Sequence, residues 1–183
     1  MKKTLLLLIA AAIYVPTAMA GDFLGIFPRH TGVEPVTNKL YSDSCGECHF
    51  AYQPGLLPAR SWQKLMEPKS LEDHFGENAE MSEKDRVAVL EFLTEYSADS
   101  TIRYKRSIKI RRSIPDEEAP IRITEVPYIK KKHEDIPRKM VQDNPKVRSL
   151  SYCNRCHTQA AKGIFQEDTV DIPNFRDWKD LID

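Results

Sequence analysis

Two copies of one short motif contain all four cysteines of this 183-residue chain. In each copy, two residues separate the cysteines and a histidine directly follows the second cysteine. The motif residues are Cys45, Cys48 and His49 in the first copy, and Cys153, Cys156 and His157 in the second. Thiols at this spacing suit three chemistries: a redox dithiol, a metal site, or covalent attachment of haem.

Covalent attachment of c-type haem is the chemistry that uses every motif residue. A thioredoxin-like dithiol belongs to a strand-to-helix turn, and nothing before Cys45 or Cys153 has the pattern of a buried strand. A tetrahedral zinc site could use both cysteine pairs, but it would leave the adjacent histidines unexplained. In haem c, both thiols form thioethers and the next histidine binds iron. The sequence therefore predicts two haems c, with His49 and His157 as proximal ligands.

The sixth iron position decides what each haem can do. An open position lets oxygen, peroxide or gases bind, whereas a filled one confines the haem to electron transfer. Among the remaining histidines, His74 lies on a predicted short helix that begins at Ser70 and is stopped by Gly76. Its imidazole is expected on the apolar side, beside Phe75 and one turn from Leu71.

The second half of the chain also offers one inward-facing histidine. His133 shares a predicted helix face with Ile129 and Ile136. A lone histidine on an apolar face is usually an ordinary core residue, but two bound irons favour ligation at His74 and His133. His30 has no apolar periodicity around it and is expected at the surface. Methionine is the competing ligand type, at Met66, Met81 and Met140, of which the first and last resemble core residues.

The remaining segments predict a mostly α-helical protein with irregular connections. The clearest helix begins at Ser82 and runs to about Tyr96. Residues 102–114 carry six basic and no acidic side chains, and their residue types partly alternate with a period of two. Together with the residues that follow, this pattern predicts an extended basic linker. A helical stretch is expected at 129–136, and a helix through the second motif should end near Gly163. The predicted organisation is two small haem-binding halves, with a first haem c domain at 21–101, the linker at 102–127 and a second haem c domain at 128–183.

The first twenty residues have the pattern of a secretory signal peptide. A basic head precedes an apolar run from Leu5 to Ile13, and small residues end at Ala20. The run is too short to cross a bilayer, which needs about 20 apolar residues. The sequence therefore predicts cleavage after Ala20 and a soluble periplasmic protein with no transmembrane segment.

The charge balance argues against a nucleic-acid partner. The chain has 27 basic and 27 acidic residues, so no overall positive field would offset phosphate charge. The distribution is uneven, because residues 67–95 carry nine acidic and three basic side chains while 102–114 are only basic. Such runs are usually solvated faces. The basic run, or the lysines at 130–132, could instead steer an acidic redox partner or neutralise haem propionates.

Four stretches of the chain, in order, resemble the diheme cytochrome c family of small exported electron carriers. They are CGECHFAYQPGLLPARSW, HFGENA, RITEVPYIKKKHEDI and CNRCHTQAAKGIFQED. The resemblance implies mostly helical structure around two covalent haems, each with two histidine ligands. By position it implies His49 with His74 on the first haem and His157 with His133 on the second. It also implies a redox partner, such as a small oxygen-binding monohaem cytochrome c or a membrane cytochrome of the b type.

The expected function is therefore single-electron transfer by two iron-containing haems, without enzymatic activity. The competing hypothesis is a haem enzyme or gas-binding protein, peroxidase-like or reductase-like, with one iron open. The sequence offers no third inward histidine and no arginine or acid cluster of the kind that such a site needs.

Overall fold

A computed structural model of the chain describes residues 30–181, so the predicted signal peptide lies outside the described residues. Within this range, the only β-structure consists of isolated bridges, which confirms the predicted mostly α-helical class with irregular connections. No helix in residues 30–181 is both long and apolar enough to span a membrane. The α-helices are α1 (Lys39–Cys45), α2 (Ala59–Leu65), α3 (Pro68–Glu72), α4 (Glu83–Glu95), α5 (Lys105–Ser113) and α6 (Pro127–His133).

Helix α4 forms where the capping signal and the apolar spacing agree. The Ser82 hydroxyl accepts a hydrogen bond from the Asp85 backbone N–H at 3.1 Å, so it caps the first turn. The helix buries Val89, Phe92 and Leu93 and packs against α1 and α2. The predicted helix from Ser82 to about Tyr96 is confirmed.

Helix α5 replaces part of the predicted extended linker, so that prediction is wrong for residues 105–113. Ser107, Ile110 and Ile114 are all buried, and they recur at the three- and four-residue spacing of one helix face. This face packs against α6 and against a 3₁₀ turn at Pro54–Leu56. The partial two-residue alternation of the basic residues had concealed the helical period. Basic side chains occupy the other faces of the helix.

Short 3₁₀ turns connect the later part of the chain. The second motif lies on such turns, at Cys153–Arg155 and Ala160–Lys162, rather than on the predicted continuous helix. The segment does end at Gly163, as predicted, with φ of 71°. The Gly163 carbonyl accepts a hydrogen bond from the Val33 N–H at 2.9 Å, and a Cβ on Gly163 would collide with the Val33 carbonyl. Glycine is therefore required at this close approach of two backbones.

The buried apolar residues form two clusters. The larger cluster draws residues from Val33 through α1, α2, α4 and α5 to Phe165. The smaller one contains Met140, Val141, Val147, Ile172 and Trp178. Met66 and Met140 are 2% and 0% exposed, which confirms them as core residues. The proposed domain boundaries stay predictions.

Candidate functional site

The first motif begins at the end of α1. The Asn38 side chain caps this helix by accepting from the Tyr41 N–H at 2.9 Å, and Cys45 is its last residue. The Gly46 N–H donates to the Ser42 carbonyl at 3.0 Å, and a Cβ on Gly46 would collide with that same oxygen. The chain can therefore turn sharply within the motif only with glycine here. This turn leaves Cys48 exposed and His49 half-buried.

Backbone hydrogen bonds hold the second motif in a tight turn. The His157 N–H donates to the Cys153 carbonyl at 2.8 Å, which brings the histidine back toward the first cysteine of the motif. The Asp171 N–H donates to the Cys156 carbonyl at 2.9 Å, and His157 pairs with Val170 in an antiparallel bridge. The chain's final segment thus fixes the position of this motif.

Three of the four motif thiols lack the lowered pKa of a redox dithiol. All four cysteines are free, and burial raises the pKa of Cys45, Cys153 and Cys156 to about 11. A redox dithiol instead needs a lowered pKa to supply thiolate. Within residues 30–181, no three His, Cys, Asp or Glu side chains converge on a possible metal position.

His49 and His74 face each other at the first motif. Their ring centroids lie 6.3 Å apart and their planes are inclined by 20°. The Nδ1 of His49 lies 2.8 Å from the Phe50 carbonyl oxygen, which can only accept a hydrogen bond. Nδ1 therefore carries the proton, and the lone pair of His49 is on Nε2, where a metal ion can bind it.

His133 and His157 form the corresponding pair at the second motif. Their ring centroids are 6.1 Å apart, but the planes are inclined by 76°. The Nδ1 of His133 lies 2.7 Å from the Ile129 carbonyl, one turn earlier in α6, so its Nε2 also carries the lone pair. The two pairs have nearly the same spacing and very different ring orientations.

The spacing of both pairs fits one metal ion between two imidazoles. A bond from a metal ion to an imidazole nitrogen is about 2 Å long, and each ring centroid lies roughly 1 Å beyond its nitrogen. Two rings on opposite sides of one ion therefore have centroids about 6 Å apart. In each pair, one histidine also has a buried Nδ1 with no hydrogen-bond partner among the described residues, at His74 and His157. The spacing of the two rings in each pair thus suits an iron ion held between two imidazole nitrogens.

Burial and neighbouring charge keep two of these imidazoles neutral. The pKa of His74 is lowered by burial first, and then by His49 and Arg122. The pKa of His157 is lowered to about 4 by burial, His133 and Arg106. A neutral imidazole has a free lone pair and is the form that binds a metal ion.

His74 is positioned by a tight turn and not by the predicted helix. Helix α3 begins at Pro68 rather than Ser70, because proline suits the first helical position. It ends at Glu72, before His74. The His74 N–H donates to the Glu77 carbonyl at 2.7 Å, and Phe75 and Gly76 between them have φ of 60° and 99°. Positive φ at both central residues is the mark of a type I′ turn. His74 is therefore held by backbone geometry in a two-residue turn.

The rival ligand candidates in the sequence are His30 and three methionines. His30 is exposed, as predicted, and its ring stacks on Tyr104 at 5.0 Å rather than joining either histidine pair. Met66 and Met140 are fully buried in different apolar clusters. Met81 is half-buried and packs against the larger cluster.

Three residues at the site are missing from the sequence-based prediction. Tyr52 stacks on His49, with centroids 4.9 Å apart. Phe165 lies edge-on to His157 at 5.2 Å, and the Nη2 of Arg106 donates to the Phe165 carbonyl at 3.0 Å. Arg106 was counted only as part of a basic run, and nothing in its local pattern distinguishes it from its neighbours. Tyr52 follows the first motif closely, which is the one sequence signal that could have identified it.

A mostly helical chain with two haem-attachment motifs, each beside a facing pair of histidines, has the features of a c-type cytochrome with two haems. Residues 41–165 match the family model described as dihaem cytochrome c, and the chain belongs to this family. This result confirms the resemblance found in the sequence. The chain accordingly carries two c-type haems with iron, for which all four motif cysteines are present, and it takes part in electron transfer by haem.

Solved structures of similar proteins agree with this assignment. The chain is 40% identical to a diheme cytochrome type c from Shewanella baltica OS155, with a TM-score of 0.62, covering 77% of this chain and 97% of that one. It is 38% identical to the diheme cytochrome c from Rhodobacter sphaeroides, with a TM-score of 0.63, covering 73% of this chain and all of that one. Among curated proteins, none matches this chain.

Proposed function

We propose that the protein is a single-electron carrier in which both haem irons are held between two imidazoles. His49 and His74 bind the first iron, and His157 and His133 bind the second. The observation that carries this proposal is the separation of the two facing histidine pairs, 6.3 and 6.1 Å between centroids, which suits one ion in each. Filled axial positions confine a haem to electron transfer, so no site remains for an enzymatic reaction at iron.

The residues of the chain determine how each haem behaves. The thioethers hold the haems covalently, the backbone carbonyls of Phe50 and Ile129 orient the imidazoles of His49 and His133, and apolar side chains exclude water. The haem supplies the redox chemistry, because iron changes its charge by one when it accepts or releases an electron. The protein supplies axial ligands and surroundings, which together set the reduction potential.

We also propose that the protein works in the periplasm, after removal of residues 1–20, and exchanges electrons with a protein partner. A small oxygen-binding monohaem cytochrome c or a membrane b-type cytochrome is the proposed partner class. The exposed basic side chains of α5 and the exposed lysines at 130–132 favour a partner with an acidic docking surface. Association with such a partner would weaken as ionic strength rises.

Alanine variants of the two distal histidines test the proposed ligands. His74→Ala and His133→Ala should each leave both haems attached, since the thioethers and proximal histidines are untouched. Each variant should convert one haem, and only one, to a high-spin form that binds carbon monoxide after reduction. The measurement is the absorption spectrum of the oxidised, reduced and carbon monoxide-treated holoprotein, with haem stoichiometry from a denatured sample.

Two further variants serve as controls. His30→Ala and Met81→Ala should leave the spectrum unchanged, because neither side chain belongs to a facing histidine pair. If Met81→Ala opened a haem while His74→Ala did not, the first iron would have a methionine ligand and the assignment would be wrong. Rapid carbon monoxide binding by half of the haem in the unaltered protein would favour a haem enzyme instead.

A further inference from the structure

Tyr52 lies in contact with both haem-attachment regions. Its ring stacks on His49, with centroids 4.9 Å apart and planes inclined by 29°. Its hydroxyl donates a 2.6 Å hydrogen bond to the carbonyl of Ser151, two residues before Cys153. One side chain therefore touches the proximal histidine of the first motif and the backbone that leads into the second.

The contact continues to the second attachment cysteine. The Sγ of Cys153 lies 3.8 Å from the same Ser151 carbonyl oxygen that accepts the hydrogen bond from Tyr52. The chain of contacts thus runs from the His49 imidazole through the Tyr52 ring and hydroxyl to the Ser151 carbonyl and the Cys153 sulfur. Among the described contacts, no other side chain joins a motif histidine to the opposite motif in this way.

Neighbouring hydrogen bonds hold Tyr52 in this position. The buried Tyr41 hydroxyl donates to the Tyr52 carbonyl at 2.6 Å. The next residue, Gln53, is fully buried, and its Nε2 donates to the Ala160 carbonyl at 2.5 Å. Both residues 52 and 53 therefore tie the segment after the first motif to the segment that contains the second.

The hydrogen bond between Tyr52 and Ser151 has one possible direction. Its donor is the Tyr52 hydroxyl, since a carbonyl oxygen can only accept.

We propose that Tyr52 is the bridge through which the two haems exchange electrons. One iron is oxidised and the other is reduced by the same electron, while Tyr52 is neither oxidised nor deprotonated. The stacked ring and the short hydrogen bond form continuous contacts from the His49 imidazole to the Ser151 carbonyl. This proposal rests on the proposed ligation of iron by His49, and it assigns Tyr52 a role in electron exchange beyond that ligation.

Two substitutions separate the parts of this bridge. Tyr52→Phe keeps the ring on His49 and removes the hydrogen bond to Ser151, whereas Tyr52→Leu removes both. Flash photoreduction of the holoprotein with less than one electron equivalent, followed by freeze-quenching, shows how fast the electron redistributes between the two ferric EPR signals. Redistribution should be several-fold slower in Tyr52→Phe than in the unaltered protein, and slower again in Tyr52→Leu.

Tyr104 provides a matched control. Its ring stacks on His30 at 5.0 Å with planes inclined by 24°, a geometry close to that of Tyr52 on His49, but His30 belongs to neither histidine pair. Tyr104→Phe and Tyr104→Leu should therefore leave the redistribution rate unchanged. A purely structural effect of losing a stacked tyrosine would slow both sets of variants alike and would overturn the proposal.

NMR spectroscopy of the protein with isotope-labelled tyrosine gives a readout that does not depend on electron transfer. The Tyr52 ring signals should show large shifts in the oxidised protein that disappear on reduction, and the Tyr104 signals should show much smaller ones. Absence of redox-dependent shifts at Tyr52, or an unchanged rate in low-spin Tyr52→Leu, would overturn the bridge. A high-spin EPR signal in the unaltered protein would instead contradict the proposed histidine ligation itself.

Discussion

At the residue scale, the motif residues could be predicted because the chemistry fixes both their types and their spacing. Two thioethers and an axial imidazole require two cysteines and an adjacent histidine, so the chain carries this information locally. The facing partners are different, since His74 and His133 follow no fixed spacing from either motif. The family resemblance nevertheless pointed to the two histidines that the structure places opposite His49 and His157. The helix predicted to carry His74 is a turn in the structure.

Arg106 shows what a local pattern cannot predict. Five other basic residues lie between positions 102 and 114, yet Arg106 is the one whose charge acts on His157. Its Nε is buried and has no hydrogen-bond partner within residues 30–181, and its guanidinium carbon lies 5.9 Å from the centroid of the Phe165 ring. Burial lowers the pKa of Arg106, but a guanidinium remains protonated in proteins. A fixed positive charge therefore lies beside the second haem site.

Removing this charge should make the second haem harder to reduce. A nearby positive charge favours the reduced iron, which carries one positive charge fewer. Arg106→Gln should therefore lower the midpoint potential of the haem bound by His157 by tens of millivolts, and Arg106→Lys should lower it less. A redox titration followed by EPR measures each haem separately. Arg112→Gln, at an exposed position of the same helix, is the control. Equal shifts in the midpoint potential for Arg106→Gln and Arg112→Gln would contradict a local effect of Arg106.

At the element scale, sequence patterns succeeded where capping and apolar spacing agreed. Helix α4 has both signals, with a serine cap and a buried stripe at helical spacing. Helix α5 has no side-chain cap and only a narrow buried face among many basic residues. The turn at His74 depends on positive φ at Phe75, which few residue types favour and which no local pattern signals. Helix α5 is set by packing against α6 and the 3₁₀ turn at Pro54–Leu56, whereas the turn at His74 is held by its own backbone geometry.

The type I′ turn at His74 predicts that replacing Gly76 will affect both stability and the first haem. Its φ of 99° is unfavourable for a residue with a Cβ, although the added atom would meet nothing within 4 Å. Gly76→Ala should therefore lower the free energy of unfolding by about 1 kcal/mol through backbone strain alone. It should also let carbon monoxide bind a fraction of the first haem, because the turn carries His74. Gly76→Asn should cost less, since asparagine tolerates positive φ better.

Denaturation of the holoprotein and carbon monoxide titration check this prediction. Phe75, next to Gly76, also has positive φ. The guanidinium carbon of Arg122 lies 3.9 Å from the centroid of the Phe75 ring, and this contact should remain in both Gly76→Ala and Gly76→Asn. An asparagine variant less stable than the alanine variant would show that φ at Gly76 does not limit the turn.

At the scale of the whole molecule, contacts between distant segments bring the two attachment motifs together. The Tyr52–Ser151 and Gln53–Ala160 hydrogen bonds join residues 99 and 107 positions apart. The larger apolar cluster likewise extends from Val33 to Phe165. A single sequence predicts the presence of two haem sites, but it contains no local signal for such pairings. The predicted extended structure at residues 105–113 was wrong for this reason, because α5 and Ile114 contribute Ile110 and Ile114 to the same apolar cluster.

The two histidine pairs should make the haems distinguishable in the intact protein. The g values of a low-spin ferric haem depend on the angle between its axial imidazole planes. The pair at the first motif has an angle of 20° and the pair at the second has 76°. The haems should therefore give two separate signals, although they have the same ligand types.

Low-temperature EPR of the fully oxidised holoprotein tests the proposed ligation of both irons most directly. If each iron lies between two imidazoles, the spectrum should contain two low-spin signals of equal integrated intensity. The signal from near-perpendicular imidazoles should have the larger g anisotropy, and it should be the one lost in His133→Ala. A high-spin signal that accounts for half of the iron in the unaltered protein would contradict two-histidine ligation at one haem.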